Sequence, residues 1–375
     1  MKIMTLVSSY PSRDDGVPNI FVHKYLKALQ KNGIDVFVLL MDFRSPRRKR
    51  KFGLSSYEYD GINVYKYSFP CGPIPHVLER LMSAFVCKLY KFALKTEISP
   101  DIVHAHFGAM GYVASRLKEK YGLPYIVTEH SSSILSDAAK ADDERHRYYF
   151  KGYKNSNAVV CVSNALKNKI RSLDPSVSPS VIPNILGDAF FYENACKYDS
   201  FTVVSVGRLN KIKRFDILIR AIAKLNGDGH GVCLKIIGDG ELSGELSSLA
   251  ESLNISSKVE FTGRKSPDEI REIFKRSHVF ALTSDTETFG VVYIEANACG
   301  LPAIASDCGG PSDIINGDNG IIIPKNDVDA LCSAILDIRS NAKKYDPERI
   351  SKLTKDIYGS DSIVSNYMKI YTDTL

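Results

Sequence analysis

Residues 278 to 300 have the order strand, polar loop, short helix, and this unit restricts the fold of the chain more than any other segment. The apolar run from His278 to Leu282 predicts a buried strand, and VVYIEANACG predicts a short helix that ends at Gly300. Gly290 lets a ligand approach the backbone, and the amides of Phe289, Gly290, Val291 and Val292 lie where first-turn donors are unpaired, at the positive end of the helix dipole. The segment therefore predicts an anion site that suits a phosphate group.

Two acidic residues flank this turn, Glu287 in the loop and Glu295 inside the helix. A carboxylate on a helix otherwise lined by Val, Ile and Ala is costly to bury unless donors reach it, and sugar hydroxyls are suitable donors. In the simpler interpretation both acids face solvent, and the bare pair at this spacing favours that interpretation. The residues around the pair decide whether these acids bind a ligand or only face solvent.

Length and charge limit the class of protein. The chain has 375 residues, which predicts two domains of about 180 residues each. Its eight cysteines are scattered singly, as expected for reduced core residues of a cytosolic protein, and no run of 18 uncharged apolar residues predicts a membrane span. Residues 1–190 hold 27 basic and 17 acidic side chains, a charge of +10, whereas residues 191–375 carry −4. The basic first half suits an anionic acceptor or surface.

The first 40 residues alternate strand, loop, helix and strand. Lys2 to Ser8 predicts a strand, and FVHKYLKALQKNG predicts a helix that ends at Gly33. This order argues for a parallel, doubly wound unit, in which ligands bind beyond the carboxyl ends of the strands. The loop from Ser9 to Asn19, whose only glycine is Gly16, is therefore expected to face a ligand.

Two basic segments carry the excess positive charge of the first half. The segment Arg44 to Lys51 (RSPRRKRK) holds six positive charges, and the predicted helix His76 to Lys95 has a basic face. One interpretation is an interfacial anchor on anionic lipid. The other is a solvated charge run beside a core-packing helix, and both remain open. No nucleic-acid partner is expected, because no basic strand with interleaved aromatic residues and no recognition helix is visible.

Three histidines lie at or near the ends of two predicted strands. Strand alternation puts His104 and His106 of DIVHAH on one face, and His130 ends the strand PYIVTEH. A metal site is disfavoured because no third ligand of suitable spacing accompanies the first two, which favours packing or hydrogen-bonding roles. His130 differs because its place at a strand end puts it where ligands bind.

Regular alternation stops at Ile185, and residues 185 to 200 predict a connection between two α/β runs. The strand FTVVSVG then ends at Gly207 and is followed by Arg208 and Lys213. A guanidinium fork and a point charge in one turn suit a diphosphate, although basic residues after a strand are often only solvated.

Two later strands also end in glycine. The first ends at Gly238, and the second ends at Gly263 and is followed by Arg264 and Lys265. Both glycines suit a strand-end turn beneath a flat ligand. Ordinary tight turns explain them equally well.

The second half resembles the donor-binding region of retaining glycosyltransferases of family 4, which have the GT-B fold. The resemblance rests on Phe289-Gly290 after Glu287, on EANACGLP from Glu295 onward, and on GGP at 309–311. GRL followed by Lys213 resembles the diphosphate motif of the family. The likeness covers nearly the whole chain and is strongest between residues 200 and 325.

The resemblance implies an α/β fold of two Rossmann-like doubly wound domains that face a cleft. Residues 1–185 would form the acceptor-binding domain, with a C-terminal helix of about 360–375 packing back on it, and residues 186–359 would bind the nucleotide sugar. Family members usually carry a glycine just before the Phe that opens the first helix. Asn19 stands there in this chain, so that backbone contact would come from Gly16, Asn19 or neither.

The resemblance also assigns roles. Arg208, Lys213 and the amides after Thr288 would stabilise a leaving diphosphate, Glu287 would orient sugar hydroxyls, Glu295 would bind ribose, and His130 would approach the reacting sugar. The implied catalytic residues are Glu287, His130, Arg208 and Lys213; the implied donor-binding residues are Gly16, Asn19, Gly207, Gly238, Arg264, Lys265, Phe289, Gly290, Val291, Val292 and Glu295. No metal and no cofactor beyond the nucleotide-sugar donor are expected.

The function implied is sugar transfer with retention of configuration, from a nucleotide-diphosphate sugar to a glycan or lipid-linked glycan acceptor, in cell-surface polysaccharide synthesis. A cytoplasmic location is expected, peripheral on the inner face of the plasma membrane if the basic segments bind lipid. Two alternatives remain: a phosphorylase or epimerase of the same fold, and a non-catalytic sugar-nucleotide-binding partner of a polysaccharide assembly.

Overall fold

Strands and helices alternate along the computed structural model, which describes residues 1–12, 19–44, 51–71 and 77–375. The chain divides into unit 1, Met1–Ile185 with Ser360–Leu375, and unit 2, Leu186–Gly359. Each unit is built on a largely parallel sheet, so the predicted α/β class with two doubly wound domains is confirmed. The division falls at Ile185, where the regular sequence pattern stops.

Unit 1 contains an eight-stranded sheet in its described part, in the order β3-β4-β2-β1-β5-β6-β7-β8. Only β3 runs antiparallel to its neighbour. The elements are β1 Lys2–Val7, α1 Ile20–Lys31, β2 Asp35–Arg44, β3 Gly53–Tyr59, β4 Ile62–Pro70, α2 Val77–Ala93, β5 Ile102–His106, α3 Gly108–Tyr121, β6 Tyr125–Glu129, α4 Ser132–Leu135, α5 His146–Asn155, β7 Ala158–Cys161, α6 Asn164–Leu173 and β8 Ser180–Val181. Because β1 has β2 on one side and β5 on the other, the strand order reverses direction there, which is where α/β sheets bind ligands.

Unit 2 contains a six-stranded, wholly parallel sheet in the order β11-β10-β9-β12-β13-β14. The elements are β9 Thr202–Val206, α7 Phe215–Gly227, β10 Cys233–Ile237, α8 Ser243–Ser252, β11 Val259–Gly263, α9 Pro267–Arg276, β12 Val279–Leu282, α10 Val291–Ala298, β13 Ala303–Ser306, β14 Gly320–Ile323, α11 Val328–Ser340 and α12 Pro347–Tyr358. Here the order reverses between β9 and β12. The loops that follow these two strands are the ones that contain Arg208 and Glu287.

The last helix, α13 Ser360–Thr374, belongs to unit 1 and packs on α1. The hydroxyl of Tyr371 on α13 is hydrogen-bonded to the hydroxyl of Tyr25 and to Nδ1 of His104, each at 2.6 Å. Tyr367, one turn earlier, is bonded to Thr128 at 3.0 Å. These buried polar contacts fix the helix in one register, because a slip would leave their partners unsatisfied.

The basic helix of the first half packs into the core with its apolar face. Met82, Val86 and Leu89 on α2 are buried, and Phe85 stacks on Tyr67 with ring centroids 5.1 Å apart. The basic residues on its other side, Arg80, Lys88 and Lys91, are exposed, as is Lys95, which lies beyond the end of the helix at Ala93 and not inside it as predicted. Of the predicted basic regions, residues 45–50 and His76 lie outside the described residues. No helix of the described chain is both long and apolar enough to span a membrane.

The polar anchor of α13 generates a stability prediction. Tyr371→Phe should lower the free energy of unfolding by about 1–3 kcal/mol, because Tyr25 and His104 both lose a buried hydrogen-bond partner. Tyr345→Phe is the matched control, since the Tyr345 hydroxyl is buried without a hydrogen-bond partner among the described residues. Thermal unfolding of both variants measures the difference. Equal shifts would show that the hydroxyl network contributes nothing.

Candidate functional site

Two loops of unit 2 lie side by side because β9 and β12 are paired neighbours. The amide of Asp285 donates to the carbonyl of Ile212 at 2.8 Å, and the hydroxyl of Thr283 donates to the carbonyl of Arg214 at 2.8 Å. These bonds join the loop after β9 to the loop after β12. Residues about 75 positions apart in the sequence thereby form one surface at the carboxyl edge of the sheet.

Lys213 and Glu287 form an ion pair on this surface. The ammonium of Lys213 donates to Oε1 of Glu287, which also accepts from the hydroxyl of Ser284 at 2.8 Å. The two charged side chains are 22% and 11% exposed. The structure thus brings two of the predicted catalytic residues into direct contact, in a partly desolvated position where a charge pair is stronger than at an open surface.

The loop that carries Glu287 is pinned to the glycines after β13. The amide of Glu287 donates to Cys308 at 3.1 Å, and the amide of Gly310 donates back to the carbonyl of Glu287 at 2.8 Å. A Cβ on Gly310 would lie 2.4 Å from Cα of Phe289, so only glycine permits this approach. The Gly-Gly-Pro sequence therefore holds the backbone of the loop in place.

Gly290 begins helix α10 from the left-handed region, with φ 88°. A Cβ there would lie 2.6 Å from the ring of Tyr293, and no side chain caps the helix. The side chain of Phe289 is buried against Tyr358, with ring centroids 5.8 Å apart, so this residue can offer a ligand only its backbone. The predicted helix N-terminus after Gly290 is therefore present, with Val291 and Val292 in its first turn.

Glu295 lies on α10, one turn after Val291, and is only 9% exposed. Its carboxylate is on the buried side of the helix, so the simpler interpretation in which both acids face solvent is wrong for this residue. Glu287 is also largely covered. Both acids are therefore largely covered by protein and do not belong to a solvated surface.

Arg208 extends from the end of β9 and is the most exposed of the predicted catalytic residues, with a side chain 74% accessible. The backbone here is fixed: the carbonyl of Arg208 accepts from the amide of Asn210 at 2.8 Å, and the amide of the next residue, Leu209, donates to the carbonyl of Asp239 at 3.0 Å. The guanidinium is 3.6 Å from the carboxylate of Glu241. A rigid backbone with an exposed side chain, held only by a surface ion pair, suits a residue that engages a ligand when one arrives.

The strand-end glycines allow the ends of β9 and β10 to approach each other closely. A Cβ on Gly238 would lie 1.9 Å from the carbonyl oxygen of Gly207, and φ of Gly238 is 141°. Gly238 is thus required by the packing of the two strand ends. Gly207 itself has room for a Cβ, whose nearest neighbour would be 3.5 Å away.

Arg264 and Lys265 lie after β11 at the edge of the same surface. Arg264 is 77% exposed and 3.6 Å from Asp239. Lys265 is paired with Glu269 of α9 at 3.1 Å, and that glutamate also caps the helix through the amide of Ser266. The Ser266 amide and then Lys265 lower the pKa of Glu269 to about 2. Both basic residues are therefore in local ion pairs, and that of Arg264 is the longer and the more exposed.

In unit 1, His130 follows β6 directly and is held by three rings. Phe21, Phe107 and His106 have centroids 4.7, 5.2 and 5.3 Å from it. Nε2 of His130 is 3.1 Å from Nδ1 of His106. Burial lowers the pKa of His130 well below its ordinary value, and His106 lowers it further. The imidazole is therefore neutral at physiological pH.

A buried carboxylate organises the backbone around His130. Glu129 accepts from the amides of His130 at 2.8 Å, Ser131 at 2.6 Å and Gly108 at 2.7 Å, and from the hydroxyl of Tyr153. Burial raises the pKa of Glu129, and the bonds from Tyr153 and the amides oppose that rise. This residue ties the start of α3 to the turn that carries His130. Sequence analysis missed it, although an acid at the end of a buried strand signals a need for several donors.

Asn19 is in the left-handed region at the start of α1, with φ 53°. Its side-chain amide donates to the carbonyl of Ser9 at 3.0 Å and to its hydroxyl at 2.9 Å. The side chain thus closes the loop after β1 and leaves only the backbone for a ligand. Gly16 lies outside the described residues.

His104 and His106 are hydrogen-bonded and stacked, as sequence analysis favoured. His104 bonds to Tyr371 and to Thr128, and its ring centroid lies 4.2 Å from that of His106. Across the described residues, no group of three or more His, Cys, Asp or Glu side chains has the arrangement of a metal site. Ser284, which holds Glu287, is a further residue that no sequence motif indicated.

Each of the two units matches a family model of glycosyltransferases. The family model described as Glycosyltransferase Family 4 matches residues 19–186, and the model described as Glycosyl transferases group 1 matches residues 189–355. A glycosyltransferase of Methanocaldococcus jannaschii is 29% identical over 298 residues, which cover 78% of this chain and 80% of the relative.

Solved structures share the fold along the full length. Sucrose-phosphate synthase from Thermosynechococcus elongatus superposes with a TM-score of 0.80 at 20% identity and covers 99% of this chain and 98% of its own. Anabaena HepE in complex with UDP gives a TM-score of 0.75 at 18% identity, with both chains fully covered. At these identities the likeness establishes the architecture.

Proposed function

Since the chain belongs to glycosyltransferase family 4 and has the GT-B fold, we propose that it moves a sugar from a nucleotide-diphosphate sugar to a hydroxyl of a glycan or lipid-linked glycan, with retention of configuration. The pathway we propose is the synthesis of a cell-surface polysaccharide. The enzyme class, a glycosyltransferase, is the part that family membership provides. The substrates and the stereochemistry are the proposal.

The observation that carries this proposal is the contact between Lys213 and Glu287 beside the start of α10. The cation contacts the carboxylate, and the carboxylate lies four residues before the unpaired first-turn amides of α10. Phosphate oxygens need the cation and the amides, whereas sugar hydroxyls need the carboxylate. A nucleotide-diphosphate sugar has both groups in adjacent positions, so one ligand can satisfy the whole arrangement.

In the proposed reaction, the acceptor oxygen bonds to the anomeric carbon as the bond from that carbon to the diphosphate oxygen breaks. The acceptor proton passes to an oxygen of the leaving diphosphate, so no protein nucleophile is required. Lys213, Arg208 and the amides at Val291 and Val292 stabilise the negative charge that develops on the diphosphate. We propose that these groups provide the positive charge, with no metal and no other cofactor.

The acids then have separate tasks. Glu287, next to the phosphate-binding amides, accepts hydroxyls of the reacting sugar, while Glu295, inside the helix, accepts hydroxyls of the ribose. His130 contacts a hydroxyl of the reacting sugar. Burial keeps the ring neutral, and because Nε2 is bonded to His106, Nδ1 is the nitrogen that remains to donate or accept one hydrogen bond.

UDP is the nucleotide that we propose to test first, because the Anabaena protein of similar fold is described in complex with UDP. We also propose that the exposed basic side of α2 and the segment from Arg44 to Lys51 attract an anionic membrane surface. The apolar face of α2 is already used by the core, so this attraction would be electrostatic and would not involve insertion of the helix.

Arg208→Ala should lower turnover by roughly two to three orders of magnitude, the range for losing one preorganised stabiliser of a developing charge. Lys211→Ala is the matched control, because it removes a neighbouring positive charge from the same turn and should leave turnover within about two-fold. Initial rates of nucleotide release with each nucleotide sugar, with and without acceptor, provide the measurement. If Arg208→Ala turns over at nearly the parental rate, Arg208 does not stabilise the leaving diphosphate. If the parent releases nucleotide from none of the donors, the proposed function is wrong.

Substitutions of the two glutamates should affect different kinetic quantities. Glu287→Gln should depress turnover more than donor affinity, because the anomeric carbon it serves gains positive charge only in the transition state. Glu295→Gln should mainly weaken donor binding, since the ribose does not react. Calorimetry and single-turnover rates would separate these effects, with Glu245→Gln on the exposed side of α8 as the control. The opposite pattern would reverse the placement of the donor.

Binding to anionic vesicles should depend on the basic segment of unit 1. Replacing Arg47, Arg48, Lys49 and Arg50 with Gln should weaken sedimentation with phosphatidylglycerol vesicles and flatten its dependence on salt. The control replaces four exposed lysines of unit 2, Lys343, Lys344, Lys352 and Lys355, and should change binding much less. An equal loss in both variants would indicate attraction by net charge alone.

A further inference from the structure

Three histidines of unit 1 form a stacked row whose members have different hydrogen-bond partners. The ring of His104 lies 4.2 Å from that of His106, which lies 5.3 Å from that of His130. Both nitrogens of His104 are occupied, Nδ1 by Tyr371 at 2.6 Å and Nε2 by Thr128 at 2.7 Å. His106 and His130 are instead bonded to each other, Nδ1 to Nε2, at 3.1 Å.

The shared bond restricts where the protons of the pair reside. Burial lowers the pKa of His106 to about 3 and that of His130 well below its ordinary value, so both rings are neutral and carry one N–H each. One of these protons must lie in the shared bond, because two lone pairs or two protons would repel each other there. If His106 donates, both rings are protonated on Nδ1; if His130 donates, both are protonated on Nε2. The two rings therefore have the same tautomer.

The two ring nitrogens outside the shared bond must have opposite hydrogen-bonding roles. Nε2 of His106 and Nδ1 of His130 are buried, and neither has a hydrogen-bond partner among the described residues. Since one proton is left for these two atoms, one of them is a donor and the other an acceptor. The role that His130 offers to a hydroxyl is thus the opposite of the role that His106 retains.

The neighbouring backbone keeps the pair in position. Phe107, between His106 and the start of α3, has φ 72°, an unfavourable region for a residue with a large side chain. This conformation places its ring 5.2 Å from that of His130, on which Phe21 also packs. Rotation of the His130 ring away from His106 is therefore obstructed by two aromatic side chains.

We propose that His106 is a positioning residue that couples the neutral tautomer of His130 to its own through their shared hydrogen bond. The functional part of this inference rests on the proposed contact between His130 and the reacting sugar. The tautomer coupling rests only on the geometry of the pair. A ring with a fixed tautomer presents one defined donor or acceptor to a sugar hydroxyl and needs no proton rearrangement when the substrate binds.

The coupling can be measured without substrate. In protein labelled with ¹⁵N-histidine, the ring nitrogens of His106 and His130 should report one tautomer each, and the same tautomer for both. In His106→Phe, the His130 signals should change to a different tautomer or to a mixture. His106→Asn should restore the parental pattern at least in part, because its amide lies as far along the side chain as Nδ1. Opposite tautomers in the parent, or unchanged His130 signals in His106→Phe, would overturn the proposal.

Kinetics separate this role from a structural one. His106→Phe should lower turnover by roughly ten- to a hundred-fold, as for the loss of a partner that orients a functional imidazole, while the KM for the donor stays within about two-fold. His106→Asn should recover part of that loss. In the control His104→Asn, thermal stability should fall but the matched tautomers of His106 and His130 should persist. Loss of turnover without a tautomer change would assign His106 to packing, and an inactive parent with coupled tautomers would reject only the proposed function.

Discussion

Parallel pairing of β9 with β12 is the constraint on which the site of unit 2 depends. Parallel strands end at one edge, so the loop with Lys213 and the loop with Glu287 must emerge together wherever these two strands are neighbours. The strand order reverses at this pair, so that α7 and α10 leave toward opposite sides and leave space between their starts. The topology of the sheet thus brings Lys213 and Glu287 close together, and the attraction between their opposite charges then forms the ion pair.

Close backbone packing then makes the edge rigid enough to hold a ligand. Gly238 and Gly310 occupy positions where a Cβ would lie 1.9 and 2.4 Å from neighbouring backbone atoms. Both glycines bring one strand-end loop against another, and both loops contain residues of the site. A preorganised site needs no rearrangement as charge develops on a substrate, which is the main physical source of electrostatic catalysis. Both glycines therefore contribute to the candidate site by allowing this close backbone packing.

Much of this arrangement could be predicted from the sequence, because parallel α/β units show strong alternation and glycine at strand ends. The helix at Asn164–Leu173 and its Ser163 cap, for example, follow directly from local pattern. The hairpin β3–β4 was not predicted, since Gly53–Tyr59 lies at the sheet edge with a partly exposed face and a weak apolar pattern. Glu129, Ser284 and the contact of His106 with His130 could not be assigned either. These depend on distances between strands, which no local pattern encodes.

The ion pair also explains how the site can exist without its ligand. Without each other, both charged groups would be partly desolvated and unpaired. The side chain of Lys213 is 22% exposed, and that of Glu287 is only 11% exposed and would therefore lose more hydration. Their mutual bond, with Ser284 as a second donor to the same carboxylate oxygen, removes that cost in the free protein. In the proposed function, a diphosphate that approaches Lys213 would replace one anionic partner with another, while sugar hydroxyls would replace the ammonium at Glu287. Such an exchange of partners would leave neither charge buried alone, so the pair would serve first as structure and then as a binding site.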